Sequence, residues 1–295
     1  MLRAHGPAFS ISIVTMNRIA CLTVVLALAM AHPSLPAAQS SDTVPALHAS
    51  YDQLLDVNVR DGFVYYRALR STRGGLDRYI ASLNVPEATY SRWSREERLA
   101  FWLNAYNAIL LQTVINHYPI QGKSPAYPAS SIRQVPGAFD RTKHRIAGRA
   151  LALDEIEKGI LSEFRDPRVY LALGRGAAGS GRLRSEAFTG ARLAAQLEAV
   201  QAEFVSNGAM LRIDRAEDVM SVTPIISWRE AEFIAAYDKG PEGPFARRSP
   251  VERAVLAFIT PHLLRLEREF VEKNTFRVVF HQMDWRLNDL TGGRR

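Results

Sequence analysis

SREERLAFWLNAYNAILLQTVINH, residues 94–117, is the stretch that decides the fold. The Ser94 hydroxyl can accept from the amide three residues on while Glu97 reaches back to the Ser94 amide, a capping box that opens a helix. Tyr118-Pro119 stops it. Between residues 99 and 115 the apolar side chains, among them Phe101, Trp102, Leu103, Tyr106, Ile109 and Leu111, point nearly all round. Such a helix must be covered on every side, so it belongs in the middle of the molecule. Asn104 and Asn107 lie three apart on it, hence on neighbouring faces. Once buried, each carboxamide needs partners, because an unsatisfied polar group costs about 1–3 kcal/mol. Pinning a neighbouring loop and lining a ligand pocket are both open to them.

Working outward, residues 47–57 have helical periodicity, and Asp61-Gly62 turns the chain into a strand-like run over 63–66. Further helices are expected from Asp154 and Glu157 to about Phe164, over 189–205, and from Ser249-Pro250, the last kinked or divided by Pro261. Strand-like runs occupy 169–173, 211–213, 220–226 and 276–280, while 123–136 and 239–250 read as surface loops. Helices and strands do not alternate regularly. The fold expected is α+β, a single mostly helical domain over residues 39–295 packed with a small, mainly antiparallel sheet.

The 295 residues are 47% hydrophobic and 23% charged, a globular composition. Thirty-seven basic residues against 30 acidic ones give +7, which favours acidic partners without pointing to nucleic acid. Cys21 is the sole cysteine, so a disulfide framework and a cysteine-rich metal site are excluded. Met16, Asn17 and Arg18 precede an apolar stretch over 19–30, followed by Pro33, Pro36, Ala37 and Ala38. This is the pattern of a signal peptide cut near Ala38, with Met1 or Met16 as the start. The stretch is too short to span a bilayer core of about 30 Å, so no retained transmembrane helix is expected and the mature chain is placed in the periplasm or outside the cell.

Five segments then carry a resemblance: YDQLLDVNVRDGFVYYRAL from Tyr51, LAFWLNAYNAILLQTVINHYP from Leu99, LALDEIEKGIL from Leu151, DPRVYLALGRGA from Asp166 and MDWRLN from Met283. In this order they resemble the family called domain of unknown function 547. The resemblance implies that relatives carry histidines where this chain has Lys158 and Tyr170, a cysteine where it has Arg175, and a second cysteine near Ser180-Gly181. A thiol beside two histidines is a plausible nucleophile in such relatives. This chain lacks every part of it.

In its place stands GRGAAGSGR, residues 174–182. Its G-x-G-x-x-G spacing is formally that of a dinucleotide-binding turn, yet no helix follows directly, and no cofactor is expected. Two uses remain: a flexible glycine turn, or a nest in which the amides around Gly176 hold an anion while Arg175, Arg182 or Arg184 supplies charge. Ser180 is a candidate nucleophile if His144 or His281 acts as base and Asp284 orients it, although the G-x-S-x-G elbow is absent. His281 and Asp284 do not complete a metal site, and no metal is expected. The basic cluster Arg141, Lys143, His144, Arg145 and Arg149 reads as a solvated face.

Three functions follow as alternatives. The favoured one is an exported non-thiol binding or accessory protein with an anion-binding Gly/Arg loop, taking a small anionic ligand or an envelope protein as partner. The second is a hydrolase or acyl transferase using Ser180 or the His281/Asp284 pair. The third is a protein-interaction scaffold.

Overall fold

The computed structural model describes residues 44–292, and the expected signal peptide over 1–38 lies outside them. The helix Arg95–His117 runs through the middle. Its capping box is complete: the Glu97 amide donates to Ser94 Oγ at 3.1 Å and the Ser94 amide to Glu97 Oε2 at 2.8 Å. From Leu99 to Ile115 all but one side chain is buried, with Gln112 half-buried. Helices Tyr66–Ser71 and Gly74–Ser82, the turn Gly190–Arg192 and the segment from Leu153 to Phe164 cover it. Trp102 is fully buried, and its Nε1–H donates to the Tyr90 hydroxyl at 2.8 Å.

Strands occur as two short hairpins and one three-stranded sheet among the described residues. Leu211–Asp214 pairs antiparallel with Val219–Val222, which in turn pairs in parallel with Arg277–Phe280 in the register Val219↔Arg277. A parallel partner needs a long crossover. Helices Glu230–Tyr237, Pro250–Ile259 and Arg265–Lys273 provide it, with Pro261 in the turn Thr260–His262 dividing the last two. The α+β expectation holds, with strand pairing mainly antiparallel.

Several local expectations are corrected. Residues 169–173 are not a strand: Arg168–Leu171 is a helical turn, because Pro167 is preset for helix and the Asp166 carboxylate accepts from the Arg168 amide at 3.1 Å. The Gly/Arg loop therefore follows a helix. The strand over 220–226 stops at Val222, where the Thr223 hydroxyl caps the helix Pro224–Trp228. Only Phe63–Val64 of 63–66 is strand, since Tyr66 begins a helix. The helix expected over 154–164 is one α turn followed by a wider π turn, Ile156–Ile160, and a 3-10 turn, Leu161–Phe164. Glu157 sits on the π turn.

After Arg277–Phe280 the chain returns across the Gly/Arg loop. The Ala178 amide donates to Arg286 O at 2.8 Å and the Gly179 amide to Asp284 O at 2.9 Å. Tyr66 Oη donates to Asn288 Oδ1 at 2.7 Å, tying the return segment to the N-terminal hairpin region. Trp285 is thereby held beside residues far from it in sequence.

Candidate functional site

A cleft of about 290 Å³ opens where the π turn, the Gly/Arg loop, the end of helix Pro224–Trp228 and Trp285 meet. At its floor Glu157 and Arg175 are both buried, and Arg175 Nη2 donates to Glu157 Oε1 at 2.7 Å. Arg229 Nη2 donates to the same oxygen at 3.0 Å, and Tyr106 Oη donates to Glu157 Oε2 at 3.1 Å. Burial alone raises the Glu157 carboxyl, but Arg175 and then Arg229 overcome it and hold the group at about 2. A buried carboxylate stays ionised at neutral pH only with such partners. Burial likewise disfavours charge on Arg175, but Glu157 outweighs it and raises the Arg175 pKa.

The walls are cationic and aromatic. Arg229 lies over the Tyr170 ring at 4.4 Å, and its Nη1 approaches Glu232 at 3.6 Å. Lys158 pairs with Asp154. Arg133 differs from Arg175, Arg229 and Lys158: its guanidinium lies over Trp285 at 4.3 Å and Phe139 at 4.7 Å, and no carboxylate pairs with it among the described residues. Four cations thus face two carboxylates around the cleft, Asp154 and Glu157. Counting Glu232 as well still leaves one positive charge in excess. Trp228 completes the wall, 46% exposed and nearly parallel to Trp285, with 6.2 Å between ring centroids and 14° between planes.

The positions that the family resemblance associates with histidine and cysteine, Lys158, Tyr170 and Arg175, surround this same floor. Lys158 and Arg175 line the cleft directly, and Tyr170 supports Arg229 from behind and gives its carbonyl to Arg175 Nη1 at 2.8 Å.

The loop itself is organised differently from an open nest. The Gly174 amide donates to Asn107 Oδ1 at 2.9 Å, and the amides of Ala178 and Gly179 are taken by the return segment. The glycines serve close backbone contact: a Cβ on Gly181 would fall 1.7 Å from Leu171 O, and one on Gly179 would fall 2.6 Å from the Asp284 amide. Arg175 adopts φ +41°, a left-handed conformation uncommon for a residue with a side chain, as the loop begins. The three loop arginines do not converge. Arg182 pairs with Asp61 at 2.7 Å, and Arg184 with Glu186 at 2.8 Å and Glu203 at 3.0 Å.

Ser180 borders a different cavity, of about 350 Å³, shared with Asp61, Arg182 and Asn207. Its hydroxyl is buried and turned toward the carbonyl oxygens of Gly174 and Gly181. His281 shares Nε2 with Ala209 O at 3.1 Å, which assigns the proton to that nitrogen. Burial lowers the His281 pKa. The Asp284 carboxylate pairs with Arg286, whose hydrogen bonds hold its pKa low. No hydrogen bond joins Ser180, His281, His144 and Asp284 side chains to one another among the described residues.

Asn104 and Asn107 each clamp a loop backbone. Asn104 donates to Phe188 O at 2.8 Å and accepts from the Phe188 amide at 2.9 Å, and Asn107 donates to Ala172 O at 3.1 Å besides holding Gly174. Both are buried. Asn107 therefore fixes the start of the Gly/Arg loop from the central helix. Sequence reasoning missed Arg133, Trp228 and Arg229, and took Glu157 only as a helix opener. The Trp228-Arg229 pair closing the helix that Thr223 caps is a local signal for those two alone.

Residues 90–205 match a family model described as a protein of unknown function, DUF547. The matched stretch begins before the central helix and ends within helix Leu193–Ser206, so it contains Glu157, Tyr170 and Arg175. No curated protein and no solved structure matches the chain.

Proposed function

Starting from a segment, residues 90–205, that matches the DUF547 family model, we propose that the protein is an exported, non-thiol binding protein whose cleft takes a small organic anion. The observation that carries this is Arg133, a guanidinium without a carboxylate partner among the described residues, 4.3 Å over the Trp285 ring in a cleft with an excess of positive charge. A guanidinium carries its N–H groups in its own plane, where a carboxylate can take two of them. Arg175 contributes to the floor, but its charge is committed to Glu157. The export part of the proposal rests on the signal-peptide pattern over residues 16–38.

Calorimetric titration of the mature chain with small carboxylates and their neutral amides tests the binding reading. Carboxylates should bind in preference to amides, and Arg133→Met should weaken them about tenfold or more, the size of a lost charge-assisted hydrogen bond. Ser180→Ala should leave binding unchanged. Equal binding of acid and amide, or indifference to Arg133→Met, contradicts the proposal.

A further inference from the structure

The shape of the cleft says more about its ligand than charge does. Aromatic faces line its mouth: Trp228 lies 14° from parallel with Trp285, and the Arg133 guanidinium carbon is 4.3 Å from the centroid of that same Trp285 ring. Phe139 flanks the guanidinium at 4.7 Å. Trp228 is 46% exposed, so part of its ring is open to an incoming group. The volume of about 290 Å³ lies at the small end for ligand sites and suits a single ring rather than a chain.

We infer that the ligand is an aromatic carboxylate, with the acid conjugated to the ring. The inference rests on the binding reading above. A carboxylate held by both N–H groups of a guanidinium lies in the guanidinium plane. Conjugation keeps an attached aromatic ring near that plane too, so a carboxylate on Arg133 carries a flat ring that can lie against the half-exposed indole of Trp228 in the same cleft. Aromatic faces gain from such offset stacking beyond the burial of area alone. A saturated ring is puckered and presents C–H bonds where the Trp228 indole favours a flat face, so it loses that part of the interaction. The ring face supplies discrimination, and Arg133 supplies the requirement for charge.

The test is calorimetric titration of the mature chain with benzoate, cyclohexanecarboxylate, glucuronate and benzamide, repeated on Trp228→Ala. Benzoate should bind about three- to tenfold more tightly than cyclohexanecarboxylate, the advantage of stacking. Trp228→Ala should abolish that difference while retaining charge selectivity, and a thermal melt establishes that the variant is folded. If it is not folded, the comparison of benzoate with cyclohexanecarboxylate in the unaltered chain decides the matter. Benzoate and cyclohexanecarboxylate binding alike, both above benzamide, overturns the aromatic inference and leaves the anion reading standing. Glucuronate binding more tightly than benzoate overturns it in favour of a sugar acid. Benzamide matching benzoate overturns the anion reading instead, and binding of none of the four overturns both.

Discussion

Glu157→Gln perturbs the floor of the cleft with almost no change in shape. The carboxylate receives hydrogen bonds from Arg175, Arg229 and Tyr106, and Arg175 is buried. Glutamine keeps an acceptor but removes the charge, leaving two guanidinium groups without their shared counter-ion. Breaking a buried pair from one side costs about 3–5 kcal/mol. The acidity of Glu157 adds a pH dependence. Its folded pKa of about 2 lies below the ordinary 4.5, so the ionised form stabilises the fold above the unfolded pKa and that contribution is lost as pH falls through the folded one. The assay is urea unfolding of both proteins at pH 7 and pH 3. Glu157→Gln should be less stable by about 3 kcal/mol at pH 7, and the gap should narrow by about 2 kcal/mol at pH 3, where most of the wild-type contribution is lost. A gap below about 1 kcal/mol at pH 7, or one that does not narrow with acid, refutes the assignment of Glu157 as the counter-ion of Arg175 and Arg229.

Other outcomes follow from the same structure. Trp102→Ala should cost about 3–5 kcal/mol in a chemical melt, because it opens a cavity inside a fully enclosed helix and strands the Tyr90 hydroxyl; a loss below about 1 kcal/mol contradicts that placement. Asn107→Leu should cost about 2–3 kcal/mol by leaving the Gly174 amide and the Ala172 carbonyl without this partner, and should raise amide exchange at Gly174; unaltered exchange there contradicts the clamp. Mass spectrometry of the exported protein should find an N-terminus between residues 37 and 41, and an intact Met1 or Met16 contradicts the export proposal.

What could be read in advance follows the range of the interactions. The central helix was legible because its cap lies within four residues, Ser94 to Glu97, and its apolar pattern continues for several turns. Residues 169–173 were misread because a short run of Val, Tyr and Leu suits a strand as well as a buried helical turn, and the deciding contact, Asp166 to the Arg168 amide, is a side-chain detail. The π turn at Ile156–Ile160 has no periodic signature, yet it places Glu157 under two arginines. The Gly/Arg loop was legible as an unusual segment but not in its geometry, since what its glycines accommodate, Leu171 O and the Asp284 amide, comes from other parts of the chain. For the same reason Arg133, Arg229, Trp228 and Trp285 did not read as a group. They come from three separate segments, Trp228 and Arg229 being neighbours at one helix end, and the return of the chain after Phe280 brings Trp285 to the others.

The most direct measurement for the binding account is a crystal structure of the mature protein soaked with benzoate. The account predicts the carboxylate at the cleft mouth, its oxygens within about 3.2 Å of the Arg133 guanidinium nitrogens and the ring against Trp228. Benzoate located instead in the cavity beside Ser180, or a cleft left empty at saturating ligand, would contradict it.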